Sequence, residues 1–107
     1  MPEHRTGQIA VIFTSQRSDE DAAGYDAAAQ AMAALVPEQP GYCGSDSARG
    51  ADGYGITVSY WTDEAAAVAW RDHAEHTLIR QHGRERWYRL YEVVVTRVER
   101  GYRWQGG

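Results

Sequence analysis

Lysine and asparagine are both absent from these 107 residues, and cysteine occurs only once. All eleven cations are arginine, so Schiff-base catalysis and a lysine phosphate anchor are excluded. The lone Cys43 can neither close an internal disulfide nor share a structural zinc site with a second cysteine, and it reads as a small buried hydrophobe. No apolar run approaches the roughly 18 residues of a membrane span. The opening MPEHRTGQ lacks the charged-then-apolar pattern of a secretory leader, which points to a cytoplasmic protein. Positive charge is also scarce. A formal net charge of −4 gives no basic field to draw a phosphate backbone, so neither nucleic acid nor a membrane surface is an expected partner.

What is present fits one domain whose single core buries roughly two-thirds of the surface of the unfolded chain. QIAVIFTSQ, from Gln8, has apolar side chains on consecutive positions 9 to 13, which predicts a first strand buried on both faces. Asp19 and Asp21 suit the positive end of a helix, and Tyr25, Ala28, Ala29, Met32, Leu35 and Val36 then repeat at helical spacing up to Pro37. GYCGSDSAR, from Gly41 to Arg49, is a weaker strand, joined through the glycine-rich ARGADGYG to GITVSYW. Thr62 is the expected N-cap of a second helix running to Gly83. RERWYRLY then forms a helical or irregular shoulder before a last strand, EVVVTRVERGYRW, apolar on both faces at Val93 to Val95.

The order β-α-β-β-α-β is the ferredoxin-like arrangement, an α+β fold in which a four-stranded antiparallel sheet carries both helices on one face. Two helices shield one side only, yet the first and last strands are apolar on both. A homodimer with sheets packed face to face is therefore expected, with a ligand cavity between helices and sheet or near the seam.

Four pieces, PGY opening the second strand, the aromatic-ended VSYW, the helix AWRDHAEH with its W-x-x-H-x-x-H spacing, and the leading IAVIFTS, occur in an order that resembles the antibiotic biosynthesis monooxygenase family of the dimeric α+β barrel superfamily. The resemblance spans one domain over residues 1–107, with its core at about 7–104. It implies a cofactor-independent monooxygenase that oxidises a small aromatic or polyketide-type molecule, the deprotonated substrate supplying electrons to O₂. The alternatives are a non-catalytic dimer that binds a small molecule, or a haem-binding or haem-degrading protein. Haem-degrading relatives combine an Asn, a Trp and a His. This chain has no Asn and a shorter Trp70-to-His76 spacing, which argues against haem; the resemblance to the cofactor-free enzymes implies no cofactor, and His76 is the axial ligand if haem binds.

Trp70, His73 and His76 drift across about 120° of one helix face. In the functional reading Trp70 is a stacking surface for a planar substrate, and His76, helped by His73, holds the substrate proton because imidazole titrates near neutrality. The resemblance favours His76, which sits where the related enzymes carry a polar aromatic after the helix Trp. In the plain reading Trp70 is core and a histidine bonds a backbone carbonyl. Histidines three apart with no clear third ligand argue against a metal site. Alternation sends one of Tyr60 and Trp61 towards the helices and the other towards a partner or solvent, without saying which. Both are candidate substrate contacts, together with Thr14, which closes strand one beside Ser15. Arg80, Arg84 and Arg89 gather near Trp87, Tyr88 and Tyr91, as an anion-binding or aromatic-stacking rim or as a solvated face.

Overall fold

The computed structural model describes residues 4–74 and 86–107. Strand β1 (Ile9–Arg17) leads to helix α1 (Ala22–Leu35) and a short 3-10 turn (Val36–Glu38). Strands β2 (Tyr42–Arg49) and β3 (Tyr54–Trp61) form a hairpin. Helix α2 (Glu64–Ala74) and strand β4 (Tyr88–Arg97) follow. All pairings are antiparallel and the sheet order is β2-β3-β1-β4. This is the expected α+β sheet, with β1 central and β2 on an edge.

Local chemistry explains the boundaries. Asp21 caps α1 by accepting from the Gly24 N–H at 3.3 Å, and its other carboxylate oxygen accepts from the indole N–H of Trp87 at 3.1 Å. The cap thereby ties the first helix to the start of the last strand. At α2 the cap is Asp63 rather than Thr62: the Asp63 carboxylate accepts from the Ala66 N–H at 2.8 Å, while the Thr62 N–H is committed to the Gly41 carbonyl. Gly41 takes φ +83°, and a Cβ there would lie 2.7 Å from the Ala66 methyl. The glycine of PGY thus serves both an unusual backbone conformation and the close approach of β2 to α2. The expected continuation of α2 to Gly83 falls outside the described residues from position 75 onward.

The last strand differs from the sequence reading. It begins at Tyr88, inside the supposed shoulder, and ends at Arg97. A register irregularity opposite Gln16 and Arg17 inserts an extra residue, so Tyr88 and Tyr91 meet the same ring, that of Phe13, although they are three apart. A bulge gives a strand this helix-like spacing.

On the helix side of the sheet, Ile9, Val11 and the fully buried Trp61 pack against Ala67 of α2 and Val36, with Trp70 partly buried beside them. A second cluster joins Trp87 and Tyr88 to Phe13, Tyr25 and Ala28. The opposite face carries Ile12, Val58 and Val94 in one cross-strand row, with Thr14, Ile56 and Glu92 in the next. Ile56 and Val94 are each 42% exposed and Leu90 56%. No helix or strand among the described residues covers this face.

Candidate functional site

The helices are rich in alanine, and this determines how closely they fill the space above the sheet. Towards the sheet α1 presents Ala29, Met32 and Ala33, and α2 presents Trp70 and Ala74; opposite them β2 and β3 offer Ser45, Ser47, Thr57 and Ser59. Small side chains facing small side chains leave a gap that larger apolar residues would have closed. The result is a cavity of about 260 Å³. Its walls are of two kinds. Val11, Phe13 and Val93 form an apolar side, whereas the β2–β3 floor is a row of hydroxyls. Two of these satisfy each other, Ser47 and Thr57 at 2.8 Å, and Ser59 accepts the Trp61 indole N–H at 2.9 Å. Ser45, Ser47 and Arg49 are exposed, so the cavity opens along the edge strand.

At one end the cavity is polar and aromatic together. Arg49 donates to the buried Ser15 hydroxyl at 2.9 Å, to the Tyr25 hydroxyl at 3.1 Å, and to the Gly53 carbonyl at 2.5 Å. The Arg17 guanidinium lies over the Tyr25 ring, 3.9 Å from its centroid, and donates to the Trp87 carbonyl. Burial holds the Tyr88 phenol well above its ordinary range, and the adjacent Tyr25 hydroxyl adds to this. Arg49 and Arg17 pull the other way without cancelling it. Tyr88 therefore faces the cavity as a neutral phenol at physiological pH. It can donate or accept a hydrogen bond there, but it is not poised as a base.

An apolar-walled cavity above an antiparallel sheet, lined by both helices, has the size and lining of a small-molecule pocket. The family model for antibiotic biosynthesis monooxygenase matches residues 8–81. The chain belongs to that family. Uncharacterized protein YqjZ of Bacillus subtilis (strain 168) is 47% identical over 91 residues, which are 85% of this chain and 79% of that protein. Among solved structures the fold recurs in SnoaB, a cofactor-independent oxygenase from Streptomyces nogalater, at TM-score 0.64 and 15% identity, covering 85% of this chain and 92% of SnoaB. It recurs again in a conserved protein from Methanosarcina mazei Go1, at TM-score 0.72 and 13% identity, covering 88% and 95%. At such identities the structural likeness concerns the fold alone.

Within this monooxygenase-family fold the residues singled out from the sequence separate. Trp70 lines the cavity, and its ring stacks on Trp61 with centroids 5.9 Å apart and planes 27° apart. Trp61 itself is fully buried behind Trp70, so it supports the wall without forming its surface. His73 is exposed on the solvent side of α2, with its ring 5.7 Å from that of Trp70. His76 lies outside the described residues, as do Arg80 and Arg84 of the supposed rim. Tyr60 and Thr14 do not line the cavity. Strand alternation puts them on the open face, where Tyr60 sits under the Arg5 guanidinium at 3.7 Å and Thr14 pairs with Ile56 and Glu92. Ser15, one residue further on, faces inward instead.

Tyr25 and Arg49 are cavity residues that the sequence reading does not single out, and Tyr88 enters it only as part of the supposed rim. In the sequence Tyr25 looks like one more apolar position of α1, Arg49 like the end of a weak strand, and Tyr88 like part of a surface shoulder. Only the pairing of β3 with both neighbours brings strand ends 34 residues apart in sequence, Ser15 and Arg49, within hydrogen-bond reach.

Proposed function

We propose that this protein is a small homodimeric monooxygenase of the cytoplasm that oxidises an aromatic, polyketide-type substrate in the helix–sheet cavity without metal or flavin. The observation that carries the reading is the cavity itself: about 260 Å³, faced with Trp70, Phe13 and Tyr88, inside the fold of the antibiotic biosynthesis monooxygenase family. One face suits a ring and the other, with its hydroxyls, suits ring oxygens. In this chemistry the substrate loses a proton and gives electrons to O₂. One oxygen atom becomes a quinone carbonyl, and the other leaves as water with the two hydrogens lost by the ring. The protein's part is to orient the ring, take the proton and exclude bulk water. Trp70 supplies the stacking surface, backed by Trp61, and His76 takes the proton. The dimer is supported by the open sheet face, whose exposed Ile56, Leu90 and Val94 would be covered by the same face of a second copy.

Oxygen uptake by the purified protein with a panel of polyphenols and hydroxynaphthalenes tests this reading. Turnover with at least one compound, greatly reduced in His76→Ala at an unchanged melting temperature, is the expected result. Compounds that bind without consuming oxygen would make the protein a dimeric small-molecule carrier and remove the oxygenase reading.

A further inference from the structure

We infer that the cavity selects an aromatic compound bearing an anionic oxygen, a carboxylate or an ionised ring hydroxyl, and that Arg49 is the residue that recognises it. The inference rests on the aromatic-cavity reading above and adds to it the charge of the ligand.

Arg49 lines the cavity, and its guanidinium is charged at every physiological pH. The partners that hold it are all neutral: the Ser15 hydroxyl, the Tyr25 hydroxyl, and the carbonyls of Gly53 and, at 3.4 Å, Ser15. Among the described residues no carboxylate lies within ion-pair distance of it, although acidic residues outnumber basic ones by fifteen to eleven. Arg71, which also reaches the cavity, is paired with Asp72 at 3.0 Å. Among the described residues, the cavity cation held only by neutral groups is therefore Arg49.

Those neutral groups orient the guanidinium without cancelling its charge. A hydroxyl that accepts from a cation must send its own proton elsewhere and becomes a better donor. Ser15 and Tyr25 are both in that position. Tyr88 stays protonated beside them and offers no negative charge to Arg49. With both terminal nitrogens already donating to neutral acceptors, Arg49 contributes its charge rather than an open fork, and that charge, beside the Ser15 and Tyr25 hydroxyls and the apolar surfaces of Phe13 and Met32, matches a molecule with an anionic oxygen at one edge and a ring behind it.

Three probes sharing one ring system test the inference: 2-naphthoate, 2-naphthol and 2-methylnaphthalene, each titrated by quenching of tryptophan fluorescence. At neutral pH 2-naphthoate is expected to bind about tenfold more tightly than 2-methylnaphthalene, a value at the low end for a charge-assisted contact because Arg49 is exposed. Binding of 2-naphthol should tighten as its own hydroxyl ionises, which separates the ring-hydroxyl class from the carboxylate class. Arg49→Gln should abolish the preference for the anionic probe, and Arg49→Lys should keep part of it. Because Arg49 also braces the β2–β3 turn, the wild-type preference is measured a second way: it should shrink as salt is raised from low ionic strength. Equal affinity for the charged and uncharged probes, or a preference indifferent both to salt and to Arg49→Gln, would overturn the inference and leave the aromatic cavity standing. Failure of all three to bind would overturn the cavity reading and this inference together.

Discussion

Val94 occupies the middle row of the open sheet face, in register with Ile12, and through it with Val58. It is 42% exposed in the single subunit, so Val94→Asp should leave that subunit folded, at a cost of about 1 kcal/mol for the poorer strand former. In a face-to-face dimer the same change is far more damaging. Symmetry enters it twice, and each copy replaces a valine whose burial is completed at the seam by a carboxylate that must shed water with no cation opposite. The row runs through Ile12 and Val58 to Asp46 on the edge strand and contains no cation, so each carboxylate costs a few kcal/mol and the pair on the order of 5 kcal/mol. At 1.4 kcal/mol per decade the dimer dissociation constant should rise on the order of a thousandfold. Sedimentation velocity across the micromolar range would read this as a shift from two subunits to one. Ala23→Asp, on the exposed side of α1, adds the same charge and should leave the assembly intact. A wild-type protein that sediments as a folded single subunit at micromolar concentration would refute the packing, and so would a Val94→Asp variant that dimerises as tightly as the wild type.

Two further predictions concern the core beneath the cavity. Trp61→Ala should cost roughly 3 to 5 kcal/mol in denaturant unfolding, because the ring is fully buried and donates to Ser59; Trp70→Ala, whose ring borders open space, should cost about half as much, and equal losses would assign Trp70 to the closed core. Tyr88 binds its proton more tightly when folded than when unfolded, so above the ordinary tyrosine value near 10 the unfolded chain releases protons that the native state keeps. Stability should therefore be fully present below pH 10 and fall as pH rises further. Tyr88→Phe should flatten that alkaline decline in melts taken between pH 9 and 11, and an unchanged slope would show that the decline belongs to other groups.

Much of the fold is legible because two periods are written into the sequence. Consecutive apolar residues from Ile9 to Phe13 mark a strand with two greasy faces, and the repeat through Tyr25 and Met32 marks a helix that ends before Pro37. The alternation of Ile56, Val58 and Tyr60 against Thr57, Ser59 and Trp61 is correct in phase, and only its absolute direction is undetermined by sequence. It is settled by Trp61, which packs on Ala67 and Trp70 under α2. The start of β4 escapes pattern reading because a bulge shifts Tyr88 against Tyr91 and gives a strand the three-residue spacing of a helix. The cap of α2 lies one residue beyond its expected place: Thr62 and Asp63 are both good caps, and it is the Asp63 carboxylate that accepts from the Ala66 N–H.

The site is less legible, for a reason that lies in how a cavity is made. Pattern reading finds large and chemically distinctive side chains, and so it favours Trp70, the histidines and Tyr60. The space between helices and sheet exists because Ala29, Ala33, Ser45, Ser47 and Thr57 are small, and no local pattern marks small residues on three different elements as neighbours. The polar end of the cavity joins Ser15 near the end of β1, Tyr25 in the first turn of α1, Arg49 at the end of β2 and Tyr88 at the start of β4. Each lies where an element begins or stops, and sequence spacing says least about which such ends meet. In an antiparallel sheet with β1 central, the C-terminal ends of β1 and β2 and the N-terminal end of β4 fall at the same end of the sheet, so the topology gathers them whatever their spacing along the chain. In this chain that gathering sets Arg49 beside Ser15, Tyr25 and Tyr88, so exchanging Arg49 for a neutral residue changes the charge of that end of the cavity while leaving the strand order that builds it.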